Sequence, residues 1–272
     1  MHSAREERRN ILFGILTLVL IGEPLFGQSP VWQDREALGE VLQSRGFEGC
    51  FVVQNLGNQE LWGWNSKRAQ TQFIPASTFK IANSIIGLTV GAVKDVDEVL
   101  PYGGQSQPVK VWEQDMSLRD AIKVSNVPVY RGLARRIGEK DMQAMLKVLE
   151  YGNQDIGDQL DLFWLAGPLK ISPMEQLGFL TRLIREELPV PKEVQRVVKD
   201  ILFLDQGPGW KLFAKTGWTT APTPGIGWWV GWLEKGTEVY VFALNVDIVN
   251  AEQAQERVPL GKACLGAVGL LE

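Results

Sequence analysis

The stretch "FIPASTFKIANSIIGL", Phe73 to Leu88, sets a serine and a lysine three residues apart at the start of an apolar segment. Pro75 suits the first turn of a helix. Ile81, Ala82, Ile85, Ile86 and Leu88 make that helix apolar nearly all round, which predicts burial. Residues i and i+3 share a helix face, so the Lys80 amine can reach the Ser77 hydroxyl. Amides at a helix N-terminus also favour the negative charge that develops when an acyl carbonyl is attacked. The competing reading is a helix cap beside a surface charge. With ten serines and fourteen lysines in the chain, about 0.5 chance matches to Ser-x-x-Lys are expected. Burial separates the two readings, because a lysine inside an apolar helix is costly unless it has a partner or a task.

Histidine is the most informative count. The only one in 272 residues is His2, so a chain that loses its first residues has none. That removes Ser-His-Asp and Cys-His catalysis, and two cysteines leave too few ligands for a zinc site. No metal is expected, and a hydrolase built on this chain needs another base. The 45% hydrophobic and 22% charged composition is that of a globular protein with a sizeable core. A net charge of −4 argues against nucleic acid as a partner. Ten tryptophans are many, and several fall in strand-like segments, where core packing accounts for them.

Residues 1–27 differ from the rest. Arg5, Arg8 and Arg9 precede the eleven-residue apolar run Ile11 to Ile21, the pattern of a secretory signal and too short for a comfortable membrane span. Cleavage is placed near Gly27/Gln28, with an uncleaved anchor as the alternative. Export implies an oxidising compartment. Cys50 and Cys264 are nevertheless expected as buried free thiols, since both have apolar flanks.

Beyond the signal, Asp34 to Arg45 carries a helical pattern. "GCFVVQN" and "ELWGWN" read as strands joined by Leu56-Gly57-Asn58. "GWKLFAKTGW", "IGWWVGWLE" and "EVYVFALNVD" read as three more strands, the last two joined by Lys235-Gly236-Thr237. An isolated hairpin is marginal in water. The N-terminal strands are therefore expected to pair with the C-terminal ones in one antiparallel sheet, with Ser77 to Lys199 mostly helical. Asn250 to Leu271 is expected to form a closing helix that Pro259 bends or interrupts. The fold class is α/β of the α+β type. Residues 28–272 form one catalytic domain, whose α/β part spans about 28–70 and 200–272 and whose helical lobe spans about 71–199. A cleft between two such parts is the natural place for a site.

Three further stretches bear on that site. "VSNVPVY" holds Ser125-Asn126-Val127, "EYGNQD" holds Tyr151-Gly152-Asn153, and "FAKTGW" holds Lys215-Thr216-Gly217 at a strand end. Each is ordinary alone, and in this order they are specific. The chain resembles the penicillin-recognising serine enzymes, and more narrowly the class D serine β-lactamases, or oxacillinases. "PASTFK", "SNV", "YGN", "FWL" and "KTG" match that class in identity and order, and "KISPMEQLGFL" and "IGWWVGW" extend the likeness along the mature chain.

The resemblance implies a β-lactamase/transpeptidase-like fold and hydrolysis of β-lactam antibiotics. Ser77 would be the nucleophile. Lys80 would be carboxylated by carbon dioxide and act as general base, in a pocket walled by Phe79, Val127 and Leu165, with the Trp164 indole donating to the carbamate. Ser125 would relay a proton to the departing nitrogen, supported by Lys215. The amides of Ser77 and Trp218 would form the oxyanion hole. Thr216 and Arg257 would hold the substrate carboxylate, and Lys215, Gly217 and Trp218 would complete the substrate-binding set. Tyr151 and Asn153 would be scaffold, and Asn126 would be the variable middle residue of its motif. No cofactor is implied beyond carbon dioxide or bicarbonate. The partner is a small β-lactam, with no nucleic acid and no stable membrane association, and the enzyme is a periplasmic monomer or homodimer. A β-lactam sensor domain and a D-Ala-D-Ala transpeptidase or carboxypeptidase are the alternatives. The Glu-x-x-Leu-Asn of class A enzymes is absent from the sequence. The loop Thr219–Gly225, "TTAPTPG", bears on which bulky substrates fit.

Overall fold

The computed structural model describes residues 30–272, so the proposed signal lies outside the described residues. The chain begins with β1 (Trp32–Asp34), α1 (Glu36–Ser44), β2 (Gly49–Asn55), β3 (Leu61–Trp64) and the single turn α2 (Ser66–Ala69). A 3₁₀ turn, Ala76–Phe79, leads directly into α3 (Lys80–Thr89). The lobe continues through the short antiparallel pair β4 (Val99–Leu100) and β5 (Met116–Ser117), then α4 (Leu118–Lys123), α5 (Val127–Ile137), α6 (Glu139–Val148), α7 (Pro173–Ile184) and α8 (Lys192–Ile201). The chain returns to the sheet with β6 (Phe203–Gly207), β7 (Trp210–Thr219), β8 (Gly225–Lys235) and β9 (Glu238–Ile248), and ends in α9 (Ala251–Gln255) and α10 (Arg257–Ala267).

Seven strands form one sheet in the order β1-β3-β2-β9-β8-β7-β6. Strand β2 pairs antiparallel with β9, Gly49 opposite Val246 through Asn55 opposite Tyr240, which joins the two ends of the chain as the alternation of residues predicts. Only β1 runs parallel to its neighbour, β3. The hairpin β8–β9 closes through Gly236 and Thr237, with Gly236 at φ 61°, the left-handed conformation that glycine adopts without steric cost.

Period-two alternation makes this a sheet buried on both faces. Along β8, Trp228, Val230 and Trp232 point into the core shared with the helical lobe, while Trp229 and Leu233 point into the core under α1 and α10. The neighbouring β9 divides the same way, Val241 and Ala243 to the lobe and Phe242, Leu244 and Val246 to the terminal helices. Cys50 and Cys264 are both buried and unbonded.

The closing helix is split, as expected, though the break falls at Glu256 rather than at Pro259. The physical reason is Pro259. Its ring would clash with the carbonyl four residues earlier, at Gln255, and it has no N–H for that bond. One continuous helix is therefore impossible, whereas a new helix can start at Arg257 and tolerate proline in its first turn. Strands β1 and β6 and the β4–β5 pair go beyond the strands that the residue pattern predicts. No described helix is long and apolar enough to cross a membrane.

Helix α10 rests directly on the sheet. A Cβ added at Gly261 would lie 2.0 Å from the Trp229 ring. Gly261→Ala should therefore lower stability by about 1–3 kcal/mol through overpacking. Urea unfolding of the variant against the parent checks this.

Candidate active site

Ser77 and Lys80 meet because the 3₁₀ turn hands over to α3 between them. Thr78 fixes that turn, its hydroxyl donating to the Pro75 carbonyl at 2.8 Å and accepting from Gln176 Nε2 at 2.8 Å. Lys80 Nζ donates to Ser77 Oγ at 2.8 Å. Lys80 is 0% exposed, and that serine is its one hydrogen-bond partner among the described side chains. Burial, and secondarily the charge of Lys215, holds its amine well below the usual lysine range.

The surroundings of Lys80 are aromatic. Its amine lies 5.3 Å from the centre of the Tyr130 ring, whose hydroxyl is 2.8 Å from Ser84 Oγ. Phe79 packs against Trp164, Phe163 and Tyr151 at 5.4, 5.1 and 5.5 Å between ring centres. Trp164 is wholly buried, and its indole N–H has no partner among the described residues. Val127 opens α5, which packs on α3, and the Leu165 carbonyl accepts from Thr219 Oγ1 at 3.0 Å. That last bond ties the "FWL" turn to the end of β7. Gly152 and Asn153 brace the same turn from behind. The Asn153 side chain accepts from Lys170 N at 2.9 Å and donates to the Pro168 carbonyl at 3.0 Å.

Strand β7 forms the opposite wall. Its partner β6 pairs with Trp210 to Phe213, and Ala214 N donates to the Leu202 carbonyl at 2.9 Å, so the stretch from Lys215 onward has no strand partner on that side and faces the 3₁₀ turn. The approach is close enough to require glycine. A Cβ at Gly217 would lie 2.8 Å from the Pro75 carbonyl oxygen and 3.3 Å from the Thr78 nitrogen. Lys215 Nζ donates to Ser125 Oγ at 3.0 Å and to the Thr216 carbonyl at 2.9 Å. Burial, with the charge of Arg257, brings Lys215 down to about 7. Arg257 donates to the carbonyls of Gly217 and Ala254 and lies 6.0 Å from the Trp218 ring. Burial lowers it to about 10.

Ser77, Lys80, Ser125, Lys215, Thr216, Gly217 and Arg257 are thus linked by direct contacts or by adjacency along β7 and the turn. Among the described residues, none of Lys80, Lys215 and Arg257 makes an ion pair. Lys215 and Arg257 bring positive charge to one cleft without a carboxylate partner, beside the neutral Lys80 amine, which suits an anionic ligand. Residues that sequence reasoning passed over are Tyr130, Gln176 and Thr219. All three act through contacts 46 or more residues away in sequence, which local pattern does not reveal.

Comparison with known proteins gives the same direction. The family model of the penicillin binding protein transpeptidase domain matches residues 49–265. The β-lactamase OXA-5 of Pseudomonas aeruginosa is 41% identical over 238 residues, 86% of this chain and 89% of that protein. OXA-48 of Klebsiella pneumoniae is 38% identical over 250 residues, 92% and 94% of the two chains. The crystal structure of the class D β-lactamase FUS-1 (OXA-85) from Fusobacterium nucleatum superposes with a TM-score of 0.85 at 41% identity, covering 88% of this chain and all of that one. Likeness of this extent, over a cleft where a buried lysine meets a serine, means that the protein belongs to the class D β-lactamases, serine hydrolases that open the β-lactam ring.

Proposed function

We propose that this chain hydrolyses β-lactams through an acyl-enzyme on Ser77, with Lys80 as the base in both halves of the reaction. The observation that carries the reading is the 2.8 Å contact between Ser77 Oγ and an amine that is wholly buried and has no acidic partner among the described residues. Ser77 Oγ attacks the lactam carbonyl carbon and gives its proton to the Lys80 side chain. The amides of Ser77 and Trp218, on the turn and on the β7 edge, receive the developing oxyanion. Ser125, bonded to Lys215, passes a proton to the departing nitrogen. Thr216 and Arg257 hold the substrate carboxylate, and water then releases the acyl group with Lys80 again taking the proton.

Lys80 in its carboxylated form suits this chamber better than a plain amine does. Carboxylation needs a neutral amine, which burial supplies. It also needs a donor for the new oxygens, and the orphaned Trp164 indole N–H offers one beside Phe79. The added group places carboxylate-like oxygens, which accept protons, next to Ser77 in place of the single nitrogen of the neutral amine. Residues 1–27 export the enzyme, which works in the bacterial periplasm as a monomer or homodimer.

Turnover of a chromogenic cephalosporin by the purified protein tests the assignment. Continuous hydrolysis is expected, and a single stoichiometric burst would instead mark a sensor or transpeptidase. The pH dependence has a definite sign. The neutral amine exists above the lowered Lys80 pKa, so activity should fall as pH drops through that value, and added bicarbonate should partly restore it. Indifference to bicarbonate at limiting carbon dioxide, with no labelled lysine carbonyl by ¹³C NMR, would rule out the carboxylated form.

Two substitutions separate the steps by mass spectrometry. Ser77→Ala should form no acyl-enzyme. Lys80→Ala should deacylate slower by about 10²–10⁴-fold, the usual worth of a general base, so that any acyl-enzyme it forms persists.

A further inference from the structure

Ser125 sits at φ 56°, a left-handed backbone conformation that residues other than glycine rarely adopt. Its own neighbourhood supplies part of the restraint. Ser125 N donates to the Ile122 carbonyl at 3.3 Å and Asn126 N to the Ala121 carbonyl at 2.8 Å, closing the end of α4. The rest comes from a distant segment. The indole N–H of Trp112 donates to the carbonyl of Val124, the residue before Ser125, at 2.9 Å. Asn126, the residue after it, donates back through Nδ2 to the Trp112 carbonyl at 3.3 Å and to Met116 Sδ at 3.4 Å. Asn126 Oδ1 meanwhile caps α5 by accepting from Val129 N at 3.1 Å, and the whole residue is 0% exposed. The residues on either side of Ser125 are thus tied to the same tryptophan. The middle of the motif, expected to be variable, is here a buried clasp.

We propose that Trp112 is a positioning residue for Ser125, holding its hydroxyl toward Lys215 and the leaving-group side of the cleft so that acylation depends on it and deacylation does not. The inference rests on the reading that Ser125 passes a proton to the departing nitrogen. In acylation the Ser77 oxygen bonds the carbonyl carbon, the carbon–nitrogen bond breaks, and that nitrogen receives its proton through Ser125. In deacylation water adds to the ester and Ser77 is the leaving group, so no nitrogen awaits a proton. A residue that only aims Ser125 therefore acts on the first half alone.

The experiment measures acylation and deacylation separately by quenched flow, counting acyl-enzyme by mass spectrometry per competent site, with one chromogenic cephalosporin. Trp112→Phe keeps the aromatic ring and removes the indole donor. It should slow acylation about tenfold, the scale of one lost hydrogen bond in the aligned state, and lower kcat/KM in step. Deacylation and the response to bicarbonate should hold. Asn126→Ser retains a capping oxygen, loses the reach to Trp112, and should show the same selective defect. The double variant should be little worse than either single one, since both break one clasp. If Trp112→Phe does not fold, Asn126→Ser carries the comparison. Wild-type acylation by these variants, or equal slowing of both halves, overturns the proposal. Ser125→Ala in parallel separates the two layers. If it acylates normally, the relay reading itself fails and any effect of Trp112 belongs elsewhere. If it is slowed while Trp112→Phe is not, only the clasp fails.

Discussion

A lysine amine buried without an acid to neutralise it is the constraint on which the rest of this structure depends. Taking a charged amine out of water costs far more than a lysine in a helix returns, so the group favours its neutral form. That preference needs dry walls: the Tyr130 ring on α5 faces the amine, and Phe79, the residue before Lys80, packs into a buried aromatic cluster with Trp164. The fold keeps those walls in place. Asn153 ties down the segment that follows the Trp164 turn through Pro168 and Lys170, and Thr219 bonds the turn itself, at Leu165, to the strand across the cleft.

The sheet contributes through what it leaves unpaired. Strand β6 stops opposite Phe213 and Leu202 takes the Ala214 N–H, so β7 from Lys215 onward presents an edge where another strand would otherwise pair. Gly217 lets that edge come within side-chain distance of the turn that carries Ser77. Exposed edges are usually a liability for aggregation. Here the lobe covers the edge only partly, and the remaining gap is the site.

Much of this is legible in the sequence because it rests on local pattern. The alternation in "IGWWVGWLE" and "EVYVFALNVD" marks strands, and the absence of histidine after His2 removes histidine-based catalysis, leaving the apolar setting of Lys80 and the ordered motifs to single out Ser77 and Lys80. Other features leave no such mark. Strand β1 has three residues and β6 five, the latter with a register shift after Phe203, so neither shows clean alternation. Trp112 looks like any partly exposed aromatic in "KVWEQD", since its bonds to Val124 and Asn126 exist only once the lobe has folded. Asn126 is more accessible: an asparagine followed by a valine and a proline is a helix N-terminus, and it caps α5 in that way. Reading it as a motif's middle residue hides that cap.

Three basic side chains without acidic partners share one cleft and shape one another. The charge of Arg257 helps lower Lys215, and the charge of Lys215 helps lower Lys80, so the set is graded from the mouth to the floor. Arg257, with two carbonyls as acceptors, keeps its proton at any working pH, while Lys215, brought to about 7, stands near the point of losing its own. Burial is the larger cause of that lowering and the Arg257 charge the smaller, so an anion set against Arg257 would raise Lys215 only in part. Lys80 is wholly buried, and its lowered value owes more to burial than to charge. Burial is the first cause of the lowering at both lysines, so one effect brings two amines of the same residue type toward neutrality in a cleft that contains no histidine among the described residues.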